Sequence, residues 1–190
     1  PIGLEGRYRW LVFPAGRGKT RIPATNRYYG VFENGDLKTR GIEARKRDSP
    51  NLISKAQREM LKELAEARNQ THFKNKIEDS LNVLRKYITK VRRGLVRMED
   101  LALTRKLSKK PDSYQANSRS AVAAKQLEKV GIDLRPGQQV MYVVTNSDSK
   151  NPNLRVKPLQ LIESRKYDKK WYIERLISSA EELLNPLGYD

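Results

Sequence analysis

The pair Asn34-Gly35 constrains this chain most, because it separates two runs suited to β-strands, YYGVFE at 28–33 and LKTRGIE at 37–43. Asn and Gly tolerate the positive φ angles of a tight turn, so the arrangement predicts a β-hairpin. A third run of the same character, YRWLVF, occupies 8–13, behind a polar stretch, PAGRGKTRIPATN. Together they predict a small antiparallel unit of three strands over 7–44. Neighbouring residues on a strand face opposite sides, so one of Tyr28 and Tyr29 belongs to the core; spacing does not say which.

The pattern changes at Asp48-Ser49-Pro50, where a capping residue and a proline at the first helical position mark a helix start. Leu52, Ile53, Ala56, Met60, Leu64 and Ala67 then recur at helical spacing to about residue 68. A second helix is predicted from Thr71, with Phe73, Ile77, Leu81, Leu84, Ile88 and Val91 on one stripe and Gly94 as its stop. The two stripes can pair. The back of the second helix carries Lys74, Arg85, Lys86 and Lys90 and runs on to Arg92, Arg93 and Arg97. Such a run suits either a solvated face or phosphate contact.

Beyond residue 100 the signals are more mixed. AVAAKQLEKV at 121–130 reads as a helix closed by Gly131, RPGQQVMYVVT as a turn and a strand, and NSDSKNPN as an exposed loop. Asp168 caps a last amphipathic helix that ends before Pro186. This half is expected to be mainly helical, with one short strand region.

The 190 residues carry 39 Lys plus Arg against 22 Asp plus Glu, a formal net charge of +17. An excess of that size makes a polyanion, nucleic acid first, the expected partner. With no cysteine and one histidine, His72, the chain has no thiolate zinc site or cysteine nucleophile, and a Ser/His triad is disfavoured. The pattern GRGK at 16–19 lacks the glycine spacing of a phosphate-binding loop, and adjacent carboxylates such as Glu99-Asp100 and Glu181-Glu182 point apart on a helix. No apolar run approaches the roughly 20 residues of a membrane span. The expectation is a soluble, cytoplasmic chain, and its start at Pro1 without a methionine suggests residues upstream.

The segment NRYYGVFENGDLKTRGIEARKRDSP groups Arg40, Arg45, Lys46 and Arg47, cations able to neutralise phosphates, with two tyrosines. It resembles the segment of archaeal family B DNA polymerases that leaves the palm and enters the thumb, where the family has KKRYxG, a hairpin and RGxExxRRD. LTRKLSKKPDSYQANSRSAVAAKQLEKVGIDLRPGQQVMYVV is similar to the later thumb, and KYDKKWYIERLISSAEELLNPLGY to the family's closing segment. The resemblance covers nearly the whole chain in family order.

The resemblance implies an α+β fold, with 1–47 the end of the palm and 48–190 a mainly helical thumb. It lays Thr25, Asn26, Arg27 and Tyr28 along the primer, with the family's two lysines replaced by Thr25 and Asn26. It puts Arg40, Gly41, Glu43, Lys46, Arg47 and Asp48 on the primer backbone. Thr104, Arg105 and Tyr114 match later DNA-contacting positions, while Ser118-Arg119-Ser120 stands where the family has Gly-Pro-His, so that Arg119 offers a charge instead.

In the family, palm aspartates that would precede residue 1 hold the catalytic Mg2+ ions. This chain is therefore expected to bind no cofactor itself. It would join a larger subunit carrying exonuclease, fingers and catalytic palm, as in the split family B polymerases of methanogens. A sliding clamp is a further partner in view. The rival from another class is a non-catalytic basic nucleic-acid-binding protein.

Overall fold

A computed structural model of the chain describes residues 6–14, 26–46 and 49–189. The GRGK pattern, Thr25, Arg47 and the expected cap Asp48 lie outside them. In chain order the elements are β1 (Tyr8–Val12), β2 (Tyr28–Phe32), β3 (Leu37–Arg40), α1 (Asn51–Ala65), α2 (Gln70–Arg93), α3 (Met98–Leu101), β4 (Leu103–Lys106), α4 (Arg119–Lys129), β5 (Gln139–Val144), α5 (Pro152–Arg155), β6 (Val156–Pro158) and α6 (Lys169–Leu184). The fold is α+β, as the sequence predicts. It divides into two compact units, the described parts of Pro1–Lys46, Ile53–Thr89 and Arg175–Asp190 in one, and of Arg47–Leu52 and Lys90–Glu174 in the other.

The first unit is built on the antiparallel sheet β1-β2-β3. The hairpin between β2 and β3 closes with three loop residues: the N–H of Phe32 donates to Asp36 O and that of Gly35 to Phe32 O, both at 2.9 Å. Gly35 takes φ +92°, and the Asn34 side chain accepts the N–H of Asp36 at 3.0 Å. Asn34 therefore locks the loop while Gly35 supplies the left-handed step. Of the two tyrosines, Tyr29 is the core residue. It is fully buried, and its hydroxyl donates to Leu183 O.

Helices α1 and α2 pack against each other. Ser80 Oγ donates to Met60 O at 3.3 Å, and the Tyr87 hydroxyl donates to Glu59 at 2.6 Å. The buried side of α2 within this unit runs through Ile77, Ser80, Leu84 and Tyr87. It is rotated from the predicted stripe, leaving Phe73, Leu81 and Ile88 half-buried. Phe73 meets Trp10 edge to face, with ring centroids 5.3 Å apart. The C-terminal half of α6 adds Leu176, Ala180, Leu183 and Leu184 to the same core.

The second unit corrects the expectation of a single strand region. β4, β5 and β6 form a three-stranded antiparallel sheet in that order. Strands of four and three residues, reading LTRK and VKP, are too short and too polar to show alternation. α4 covers this sheet with Ala121, Val122, Ala124 and Leu127, and starts two residues earlier than expected because Ser118 Oγ accepts the N–H of Ala121 at 3.3 Å. The exposed loop at 146–153 turns into the short α5.

Tyr172 joins three elements of this unit, accepting the N–H of Val144 at 3.0 Å and donating to Leu101 O at 2.8 Å. Burial pushes its phenol pKa up, so it stays a neutral donor. Asp168 caps α6 as the sequence predicts, accepting the N–H groups of Trp171 at 3.0 Å and Ser147 at 2.7 Å. Burial alone would raise its carboxyl pKa; the Trp171 and Ser147 N–H groups, together with the Ser147 hydroxyl and the Lys170 charge, outweigh it and hold the group below the usual carboxylate range.

Two tests follow from this packing. Gly41 has φ +67°, and a Cβ there would sit inside contact distance of Asn26 O, whereas a Cβ on Gly35 meets nothing within 4 Å. Gly41→Ala should cost about 2 kcal/mol or more and Gly35→Ala about 1 kcal/mol, read as urea midpoints. The Asp168 carboxyl has a folded pKa below its unfolded value of about 3.9. Its contribution is therefore present above about pH 4 and is lost as pH falls through the lower folded value. Asp168→Asn should flatten that acid limb of the stability–pH curve.

Candidate nucleic-acid interface

The segment expected on the primer backbone is held by buried polar groups. Residues Glu43–Arg45 form one 3-10 turn after β3. The N–H of Glu43 donates to Glu182 Oε2 at 2.9 Å, and the N–H of Ala44 donates to Gln57 Oε1 at 2.6 Å. Gln57 Nε2 donates in turn to Glu182 Oε2 at 2.7 Å and to Ser179 O at 2.8 Å. On the carbonyl side, Arg58 Nη2 donates to Ala44 O at 2.8 Å and Ser54 Oγ to Glu43 O at 3.3 Å. Beyond its own closing bond, from the Lys46 N–H to Glu43 O at 3.1 Å, the turn is thus held by side chains on α1 and α6. A buried turn with unpaired amides would not persist.

Glu182 is the centre of this network. Its side chain is 4% exposed and also binds Arg27, whose side chain is 15% exposed. Beside it, burial and then the Glu182 charge push the Tyr29 phenol up. Arg27, which the resemblance lays on the primer, is thereby engaged inside its own unit. Tyr28 is half-buried, its ring 5.9 Å from that of Phe13.

The pairing of β2 with β3 sets Tyr28 opposite Arg40, and the tight approach at Gly41 sets Asn26 beside it. The two motif segments, 26–28 and 40–46, are therefore neighbours in space. Asn26 and Arg40 are exposed; Glu43 and Lys46 are half-buried and form an ion pair with each other. Arg45 belongs to the 3-10 turn, and its side chain lies outside the described set.

The remaining candidates belong to the second unit. Thr104 and Arg105 lie on the edge strand β4, with Arg105 exposed. The Tyr114 hydroxyl faces inward to its own loop, accepting the N–H groups of Ser108 at 2.9 Å and Lys109 at 3.2 Å. Arg119 opens α4 with its guanidinium carbon 5.2 Å from the Trp171 ring centroid, a cation–π contact. On α2, Arg85 pairs with Glu78 at 2.6 Å and Lys86 with Glu59 at 3.2 Å, the behaviour of a solvated face. Lys74, Arg92 and Arg93 are exposed.

Sequence reasoning missed Glu182 and Gln57. Gln57 had a signal: it follows Ile53 by four residues on the apolar stripe of α1, where a polar side chain demands a buried partner. Glu182 had none, because only the folded chain brings α6 beside residues 27 and 43. Among the described residues no group of three or more His, Cys, Asp or Glu could hold a metal ion, and no helix is long and apolar enough to cross a membrane.

A basic α+β chain with a polar-anchored turn after a β-hairpin is the class the fold defines, and comparison with known proteins supplies the family. The model of DNA polymerase family B matches residues 24–187, so the chain belongs to that family. It is 28% identical over 179 residues to the DNA polymerase of Archaeoglobus fulgidus, covering 86% of this chain and 22% of that one. It is 32% identical over 165 residues to DNA polymerase 1 of Sulfolobus acidocaldarius, covering 85% and 18%. The family B DNA polymerase structure from Pyrobaculum calidifontis matches with a TM-score of 0.74 at 20% identity, over 99% of this chain and 23% of that chain. The chain spans about a fifth of the length of the curated relatives it matches.

The Glu182 network makes a direct demand on stability. Glu182→Ala removes a buried acceptor from Arg27, the Glu43 N–H and Gln57 Nε2 and should cost about 3–5 kcal/mol. Glu182→Gln keeps acceptor oxygen but removes the charge, and should cost less. Chemical denaturation of the three proteins checks both, and equal losses would reject the ion pair as the dominant element.

Proposed function

We propose that this chain grips the primer strand of a primer-template duplex for a family B DNA polymerase, together with a larger chain that carries the catalytic carboxylates. The observation that supports it most is the juxtaposition of residues 26–28 and 40–46, the two segments that the family resemblance puts along the primer, on β2, β3 and one anchored turn. In this reading Asn26 and Arg40 face the backbone, Lys46 stays paired with Glu43 at the end of the turn, and Arg45, Arg47 and Asp48 continue the same segment. Tyr28 supports the sugar side. Arg27 and Glu43 act inward, by holding the turn in place.

Contacts of this kind go to phosphate and sugar, so they fix register without reading sequence. Their catalytic contribution is orientation: a primer held along its backbone keeps the 3′ hydroxyl in line with the incoming nucleotide. Phosphoryl transfer also requires metal ions at the attacking and leaving oxygens. In this reading those Mg2+ ions and their carboxylates belong to the larger chain. The open edge of β1, whose described neighbour is β2 alone, suits docking on that chain. The second unit offers Thr104, Arg105 and Arg119 to phosphates of its own.

The test is primer extension with Mg2+ and dNTPs, using this chain alone and with the larger polypeptide that co-purifies with it. The reading expects no extension alone and processive extension together, with Arg40→Ala shortening the products. Affinity for duplex DNA should fall with salt at a slope of about −0.9 per phosphate neutralised, and Arg40→Ala should remove about one such unit. Tight binding to RNA and DNA with no polypeptide able to restore extension would instead identify a non-catalytic nucleic-acid-binding protein.

A further inference from the structure

The loop that follows β4 carries a second feature suited to a phosphate. Leu107 is buried and pinned on both sides: its N–H donates to Gln138 O at 2.8 Å and its carbonyl accepts the N–H of Gly137 at 2.7 Å. From that anchor Ser108, Lys109 and Lys110 emerge, all exposed, before the buried Pro111 turns the chain back. The loop then closes on itself. The N–H of Ser113 donates to Lys110 O at 3.0 Å and that of Tyr114 to Pro111 O at 3.1 Å.

Tyr114 completes the closure. Its phenol oxygen receives the successive N–H groups of Ser108 at 2.9 Å and Lys109 at 3.2 Å, and lies 3.2 Å from Ser108 Oγ. At its other end, the Tyr114 carbonyl accepts Lys125 Nζ from α4 at 2.9 Å. The phenol pKa is lowered, first by the Ser108 hydroxyl and then by the Lys109 and Ser108 N–H groups and the Lys109 charge. Two N–H donors and the Lys109 charge thus converge on the Tyr114 phenol, which fixes the exposed start of the loop from within.

The cations around the loop are not equivalent. Lys110 lies within electrostatic reach of Glu128, which itself neighbours Asp112 and Asp133. Its field is offset by those carboxylates. Lys109 is exposed, its charge acts on the Tyr114 phenol, and it follows Arg105 and Lys106 of the edge strand β4, both exposed.

We propose that Ser108–Lys109 is a phosphate-contact site for duplex DNA, with Lys109 the contacting cation and Tyr114 the positioning residue that fixes the loop from within. This rests on the DNA-gripping reading above but names residues that the family resemblance did not. It also gives Tyr114 a different role from the DNA contact expected of it. A lysine on a loose loop loses side-chain and backbone freedom when it meets a phosphate; a loop already fixed avoids the backbone part of that cost.

The test is equilibrium binding of a primer-template duplex to the whole chain across a salt series, with Lys109→Ala, Tyr114→Phe, the double variant and Arg40→Ala. Lys109→Ala should weaken binding about fivefold and lower the salt slope by about 0.9. Tyr114→Phe should lower affinity and slope in the same sense with an unchanged melting temperature, and the double variant should be no weaker than Lys109→Ala. Additive losses in the double variant would mean that Tyr114 meets DNA itself and would overturn the positioning role. Tighter binding by Tyr114→Phe would also overturn it, because the phenol would then be competing with phosphate for the two N–H groups. If the unaltered chain binds duplex and Arg40→Ala weakens it while Lys109→Ala does not, this site is rejected and the primer grip stands. If the unaltered chain fails to bind duplex, the primer grip itself is rejected.

Discussion

A single carboxylate with almost no exposure governs the geometry of the first unit. Glu182 accepts the N–H of Glu43 and the amide of Gln57 while facing the Arg27 guanidinium, so one side chain of α6 joins the residue before β2, the turn after β3 and α1. Removing two charges from water is costly, and replacing such a pair by apolar residues often leaves a protein no less stable. What an apolar replacement cannot do is satisfy the Glu43 N–H and the Gln57 amide, which would remain buried. The network therefore specifies one position of the turn, in addition to whatever it contributes to stability.

That fixed turn matters because the cations expected to meet DNA are carried on or next to it. Arg40 ends β3 and Lys46 follows the 3-10 turn, so both side chains inherit the precision of the backbone between them. The division of labour among the arginines follows from burial. Arg27, mostly covered and paired with Glu182, can hold the structure; Arg40, exposed, can reach a partner. Two arginines thirteen residues apart, similar on paper, are thus set to different work by the carboxylate that one of them meets.

Much of the architecture is legible in the sequence because it rests on local chemistry. Asn34-Gly35 gives the hairpin through turn geometry, Asp168 gives the start of α6 through capping, and the α1 stripe gives its buried side. The failures have a common physical origin in contacts between distant residues. β4 and β6 are strands only because β5 lies between them, and their sequences carry little alternation of their own. The rotation of the α2 stripe follows from Tyr87 and Ser80, polar-tipped residues that are buried because Glu59 and the Met60 carbonyl accept their hydroxyls. Glu182 looks, in sequence, like half of an ordinary surface pair with Glu181. The candidate interface was legible as a set of residue types, while its division into inward and outward groups was not.

The charge excess of +17 is distributed in a way that bears on how the proposed DNA grip would work. Several cations already have carboxylate partners: Arg27 with Glu182, Lys86 with Glu59, and Lys76 with Glu63, Glu66 and Asp79. Those contribute little to binding, since a phosphate would have to displace a better-placed anion. Other exposed cations are spread over many elements, among them Arg40 at the end of β3, Arg105 and Lys106 on β4, and Arg92 and Arg93 at the end of α2. At physiological salt the screening length is about 8 Å, so cations farther apart than that meet their phosphates nearly independently. Affinity then accumulates as a sum of modest, salt-sensitive terms with no dominant contact. A grip built that way is sequence-blind and can be released one phosphate at a time, which is the condition for a duplex to advance by one base pair without leaving the protein.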